Sequence, residues 1–137
     1  LREEGRGHTT EPVEYETNPP TSGPHDPQPS QDGIYDETPD VEQSVHSLEH
    51  GRIHFQYKPG SPPERVAQLE AMVSTTSVKG TEGYHALVFP NGTGMEAAVA
   101  ATAWQRYITC PEWNDRVFDA FKLFWRENVD KAPEFIP

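Results

Sequence analysis

Residues 1–40 hold seven of the fourteen prolines and no Phe, Trp or Met. Proline at this density favours an extended polyproline path and offers little for a core. The apolar core must therefore come from residues 41–130, an α+β domain. Residues 1–40 then form a proline-rich extended segment packed on it, and 131–137 a tail. With 137 residues and 34% hydrophobic content, this is one domain with a modest core.

Within that core the periodicities alternate. Residues 52–58 place Ile53, Phe55 and Tyr57 on one side and Arg52, His54, Gln56 and Lys58 on the other, which predicts a strand with one buried face. Ser61, Pro62 and Glu64 then form a helix start, with Val66, Leu69 and Val73 as its apolar stripe and Met72 beside it, through about residue 74. Residues 84–89 predict a second strand, closed by Pro90, Asn91 and Gly92. Small residues fill a long extended run over 97–108, with Trp104 and Tyr107 as its bulk. Thr109 to Glu112 reads as a capping box opening a long amphipathic helix to about Asn128, with Trp113, Val117, Phe121, Phe124 and Trp125 on its face. The order strand–helix–strand–helix–strand–strand–helix predicts a mostly antiparallel sheet. Two extended pieces, Val13 to Tyr15 and Gly33 to Tyr35, precede it.

Charge narrows the partners. With 22 acidic against 11 basic residues the net charge is −11, which repels nucleic acid and anionic membrane alike. No stretch approaches the ~18 apolar residues of a membrane span, so no direct membrane contact is expected. The single cysteine, Cys110, excludes an intrachain disulfide. Its predicted place in the first turn of a helix would lower its pKa, but no histidine neighbours it and an idle thiol is the simpler reading. Leu1 in place of methionine reads as a processed chain, with an upstream signal or anchor removed.

The chemistry gathers around His46 and His50. On a helix they lie one turn apart on one face, where two imidazoles can share a metal ion. Val45 and Leu48 would anchor that turn, and Gly51 would end it in a left-handed conformation. A third imidazole, His25, follows Gly23 and Pro24 on a stiffened loop. Met95 lies in a glycine-rich turn with little core to fill, where a thioether ligand is worth considering. His54 falls on the polar face of its strand and ranks below the helical pair. His85 opens a strand and reads as structural.

These pieces resemble a known pattern. Asn-Pro-Pro-Thr-Ser-Gly-Pro-His at 18–25, Gly-x-Tyr at 33–35, Val-His-Ser-Leu-Glu-His-Gly at 45–51 and Thr-Ala-Trp at 102–104 occur in that order, followed by an amphipathic helix. The chain is thereby similar, over roughly 6–130, to a bacterial extracytoplasmic family catalogued only as a domain of unknown function. The resemblance implies an N-terminal membrane anchor in the precursor and a location outside the cytoplasm. It also implies a histidine at His8 and a methionine near Met95. Gln105 stands where that family usually has glycine.

Three functional readings follow. The first is a metal-binding domain, with His25, His46 and His50 as ligands, Met95 as a fourth, and Glu49 and Asp26 orienting the imidazoles. A thioether beside imidazoles points to copper, with zinc as the alternative. Its role would be storage, delivery or sensing, and its partners the ion and a metal-receiving or surface-assembly protein. The second is an interaction module whose histidines hold the proline-rich segment in place. The third is a zinc-dependent hydrolase, because His46, Glu49 and His50 fit the His-x-x-Glu-His pattern with Glu49 as base. That reading needs a downstream acidic ligand, for which Glu112 and Glu127 stand only by default.

Overall fold

The computed structural model describes residues 2–73 and 82–134. Five strands form one sheet: β1 (Gly33–Ile34), β2 (Ile53–Tyr57), β3 (Ala86–Pro90), β4 (Val99–Ala103) and β5 (Arg106–Cys110). Three helices accompany them, α1 (Val41–Glu49), α2 (Pro63–Glu70) and α3 (Arg116–Asn128). The sheet order is β1-β3-β2-β4-β5.

The α+β class is as expected, but the sheet is mixed rather than mostly antiparallel. β3 runs parallel to both β1 and β2, whereas β2–β4 and β4–β5 are antiparallel. The cause is the crossover: the chain leaves β2, passes through α2 and returns to the same end of the sheet, which aligns β3 with β2. Gly33 and Ile34 enter the sheet as its edge, while Val13 to Tyr15 stay outside it.

The run over 97–108 is not one strand but a hairpin. It breaks at Trp104 and Gln105, and Gln105 takes φ +61°. Glycine reaches that left-handed region without the clash a Cβ brings, so Gln105 holds a conformation that favours glycine. The C-terminal helix is also shorter than expected. β5 extends through Cys110, so α3 starts only at Arg116, runs 13 residues, and has no side-chain cap from Asp115. Cys110 thus ends a strand, and burial raises its thiol pKa instead of a dipole lowering it. Similarly, α2 starts at Pro63 with Ser61 left outside its cap, Ser61 Oγ donating to the Lys58 carbonyl instead. α2 ends at Glu70, short of the expected end near residue 74, a position that itself lies outside the described residues.

The two sheet faces are covered differently. Ile53, Phe55 and Tyr57 point to α2 and α3 and join Leu69, Val88, Phe121 and Trp125 in the main core. Phe55 stacks on Phe121 at 5.7 Å. The opposite face carries His54 and Gln56, and both are buried. β2 is therefore covered on both sides, against the expectation of one exposed face. The alternation is correct, but α1 and the proline-rich segment lie over the polar side.

α1 is held at both ends. Asp40 caps it by accepting from the Gln43 amide at 2.9 Å, one of the four donors a helix start leaves open. Gly51 then turns the chain with φ +89°, and a Cβ there would meet the Asp130 backbone at 2.7 Å. Both facts require glycine at the stop. The sheet-facing side of α1 buries Val45 and Leu48, which pack with Trp104 as a second small core. Its other side bears His46, Glu49 and His50 and faces the proline-rich segment.

Candidate metal centre

The segment over residues 4–30 reaches α1 by backbone hydrogen bonds. His25 N–H donates to the Gly7 carbonyl at 3.0 Å, and Thr9 N–H donates to the His25 carbonyl at 2.7 Å. This short bridge sets His8 beside His25. Asp26 and Ser30 amides donate to the Glu42 and Gln43 carbonyls at 3.2 and 2.9 Å. Gly23 makes the turn before His25 at φ +124°, where a Cβ would press on the Tyr15 ring at 2.9 Å. The loop is thus stiff and aimed, and it delivers His25 fully buried against α1.

Hydrogen bonds fix the imidazole tautomers. His25 Nδ1–H donates to the Gly23 carbonyl at 2.8 Å, and His46 Nδ1–H donates to the Asp26 carbonyl at 2.7 Å. A carbonyl only accepts, so each Nδ1 carries the proton and each Nε2 keeps a lone pair. His50 Nε2 lies 2.9 Å from His46 Nε2 and donates its proton there, so His46 ligates only by giving up that bond, whereas His25 Nε2 has no partner among the described residues. A backbone carbonyl orienting a ring by one nitrogen while the other is left to bind is the common arrangement around metal-ligating histidine.

One nitrogen each from His8, His25 and His46 and one oxygen of Glu49 lie within 4.8 Å of one another. His8 is exposed and the other three are buried. Ligands at ~2.0–2.1 Å from a tetrahedral ion sit about 3.4 Å apart, so shifts on the order of 1 Å close this group around one cation. His25 Nε2 and Glu49 Oε2 are both buried without a hydrogen-bond partner among the described residues. The ring and the carboxylate approach each other only to 3.6 Å. Unpaired polar atoms in an interior cost roughly 1–3 kcal/mol each, so two together ask for an occupant.

The electrostatics follow from that burial. Glu49 has its carboxyl pKa pushed up to about 7, first by desolvation and then by the adjacent Glu134 carboxyl. Desolvation lowers the His25 and His50 pKa values, and the His46 ring lowers both further. Both shifts favour the neutral ring, the form that ligates.

The expected ligands separate into two groups. His25, His46 and His50 come together, with His8 joining them and Glu49 contributing a donor atom directly. Met95 does not join them: it is buried, and its Sδ lies 3.8 Å from the Asn91 amide, past the end of β3. Asn91 lines a small cavity on the sheet-facing side of α1, with Val41, Leu48 and Gln56. Met95 itself is buried, contrary to the expectation of an exposed thioether. Asp26 serves through its carbonyl, while its carboxylate accepts from Gln28. Glu112 and Glu127 are exposed outside the group. His54 packs under α1 with Nε2 2.7 Å from Ser47 Oγ, and burial drives its pKa down to about 3. His85 pairs with Asp130 at 2.7 Å behind Gly51.

Glu134 is the residue that sequence reasoning missed. Its amide donates to the Glu49 carbonyl at 3.1 Å, and its carboxylate lies 3.7 Å from His50 Nε2. It sits in a tail without periodicity or motif, so only the fold reveals it.

A small α+β domain with three imidazoles and a carboxylate gathered beneath a proline-rich strap is the class that fold and site define. The particular family follows from the sequence as a whole. A family described as "Protein of unknown function (DUF3105)" matches residues 8–135, and the chain belongs to it. No curated protein and no solved structure matches the chain. No helix among the described residues is long and apolar enough to cross a membrane.

Proposed function

We propose that this domain binds one divalent transition-metal ion through His8, His25, His46 and Glu49, outside the cytoplasm, for storage, delivery or sensing. The observation that carries the reading is the pair of buried, unpaired donors, His25 Nε2 and Glu49 Oε2, inside a four-ligand group. His50 and Glu134 stand at its edge, where a metal-receiving partner would take the ion. Imidazole and carboxylate donors without a thioether suit Cu(II) or Zn(II) more than Cu(I), and the divalent series ranks copper above zinc. Copper, as Cu(II), is therefore the ion this group would hold most tightly.

Titration of metal-stripped protein with Cu(II) and Zn(II) tests the proposal. One equivalent should bind, Cu(II) the tighter, with His25→Ala losing at least about 100-fold in affinity and Glu49→Gln about tenfold to 100-fold. Wild-type protein that takes up neither ion stoichiometrically would refute it.

A second reading has its own observation. The Nδ1 bonds from His25 and His46 to the carbonyls of Gly23 and Asp26 hold the segment on α1, as a non-catalytic interaction module would require. Under that reading His46→Ala loosens residues 4–30 and metal changes nothing. The hydrolase reading has less behind it, because Glu49, its base, is buried against His25 rather than open to a substrate.

A further inference from the structure

A chain with 22 acidic and 11 basic residues should rarely gather cations without acids among them. One cleft does so. It lies where the β4–β5 turn meets the end of α3 and the α1–β2 turn, with a volume of about 330 Å³. Arg52, Arg106 and Lys131 line it together with Trp104, Gln105 and Asn128, and no Asp or Glu is among its walls in the described residues. That volume suits a small ligand.

The nearby carboxylates are committed elsewhere: Glu3 accepts from the Trp104 indole at 3.1 Å and pairs with Arg6. Asp130 binds Tyr84 and His85. Glu134 turns to His50 and Glu49, and Asp32 pairs with Arg52 from outside the cleft at 3.1 Å. Arg106 is held by a neutral group: its Nη1 donates to Asn128 Oδ1 at 2.8 Å, and the buried Asn128 amide is itself fixed on the Phe124 carbonyl. The guanidinium is thus oriented but not neutralised. Glu127, beside it, forms no ion pair with it among the described residues. Lys131 has no side-chain ion pair among the described residues either. The last carbonyls of α3 favour a cation nearby, but a helix end carries only about half a charge, less than these two cations together.

We infer that this cleft binds a small multivalent oxyanion, with Arg106 and Lys131 as its charged contacts, Arg52 as a third and the Trp104 indole as a wall. Phosphate and polycarboxylate share the chemistry it would recognise: several negative oxygens at a spacing two or three cations can meet. The site is separate from the metal group, although Trp104 also lies edge-on to His25 at 6.2 Å. Occupancy should therefore change Trp104 emission.

The test is calorimetric titration of metal-free full-length chain with citrate, inorganic phosphate and acetate. Citrate or phosphate should bind at submillimolar concentration and acetate at least tenfold more weakly, with the tighter of the two identifying the carboxylate or phosphate source. Arg106→Gln and Lys131→Gln should each weaken binding about tenfold, and Lys122→Gln on the solvent side of α3 should leave it unchanged. Lys131 is exposed, so its variant remains informative if Arg106→Gln misfolds. Absence of binding at millimolar anion, or equal affinities in wild type and Lys131→Gln, would overturn the inference. Neither outcome depends on whether the histidines bind metal.

Discussion

The two faces of the sheet are held by different physics. Toward α2 and α3 the contacts are apolar: Phe55, Val88, Phe121 and Trp125 interlock, and the cohesion comes from area removed from water. Toward α1 the buried residues include His25, His46, Ser47, His54 and Gln56, tied by hydrogen bonds to a segment with little apolar surface. The first face gives the domain its stability. The second spends stability on unpaired donors, the usual mark of a place built for a ligand. Substitutions on the two faces should therefore behave differently.

The largest effect belongs to the apolar side. Phe121→Ala removes a fully buried ring stacked on Phe55 and should cost about 3–5 kcal/mol in denaturant unfolding. Metal affinity per folded molecule should stay unchanged. A matching loss in metal affinity would dissolve the distinction between the faces.

The polar side should instead respond to pH. His54 titrates near 6.5 when unfolded but is held to about 3 by burial in the fold. Between those values the unfolded chain binds the extra proton. Stability from His54 is therefore complete above pH 6.5 and is lost progressively as pH falls toward 3. The slope approaches about 1.4 kcal/mol per pH unit in mid-window. His54→Gln should flatten the wild-type curve by that amount in urea unfolding at pH 4–7. Identical slopes would place the acid sensitivity elsewhere.

The smallest effect sits at the start of α1. Asp40→Ala removes the acceptor for the Gln43 amide and should cost about 1 kcal/mol, read as a melting temperature lower by a few degrees. Because the cap lies nearly two turns from His46, metal affinity should fall only slightly.

Much of this was legible in the residues, and the illegible parts share a cause. The Gly51 stop, the alternation of β2 and the convergence of His25 with His46 follow from local rules: a left-handed glycine, a period of two, a stiff loop. The start of α1, set by the Asp40 cap on the Gln43 amide, was left open by the sequence. Direction and cover were not readable. That β3 returns parallel to β2 depends on how α2 crosses the sheet, and that His54 is buried depends on what lies over its face. Met95 resembled an exposed loop methionine, because nothing in its glycine-rich turn signals that the fold buries it. Cys110 continued β5 because pairing with Val99 outweighed a favourable helix cap. Glu134 reaches the site only because Asp130 packs on Gly51 and leads the tail back to α1.

The most direct test is thermal unfolding of wild type and His25→Ala, each with and without excess Cu(II). Saturating metal at about 100 times its Kd adds about 2.7 kcal/mol to the folded state, a rise on the order of 10 °C for a domain this size. The account predicts that rise in wild type and its loss in His25→Ala, each measured against its own metal-free protein because the variant also loses a buried ring and its bond to the Gly23 carbonyl. If Cu(II) leaves wild type unmoved and His25→Ala alone melts far below it, the imidazoles serve the fold and the metal reading is wrong.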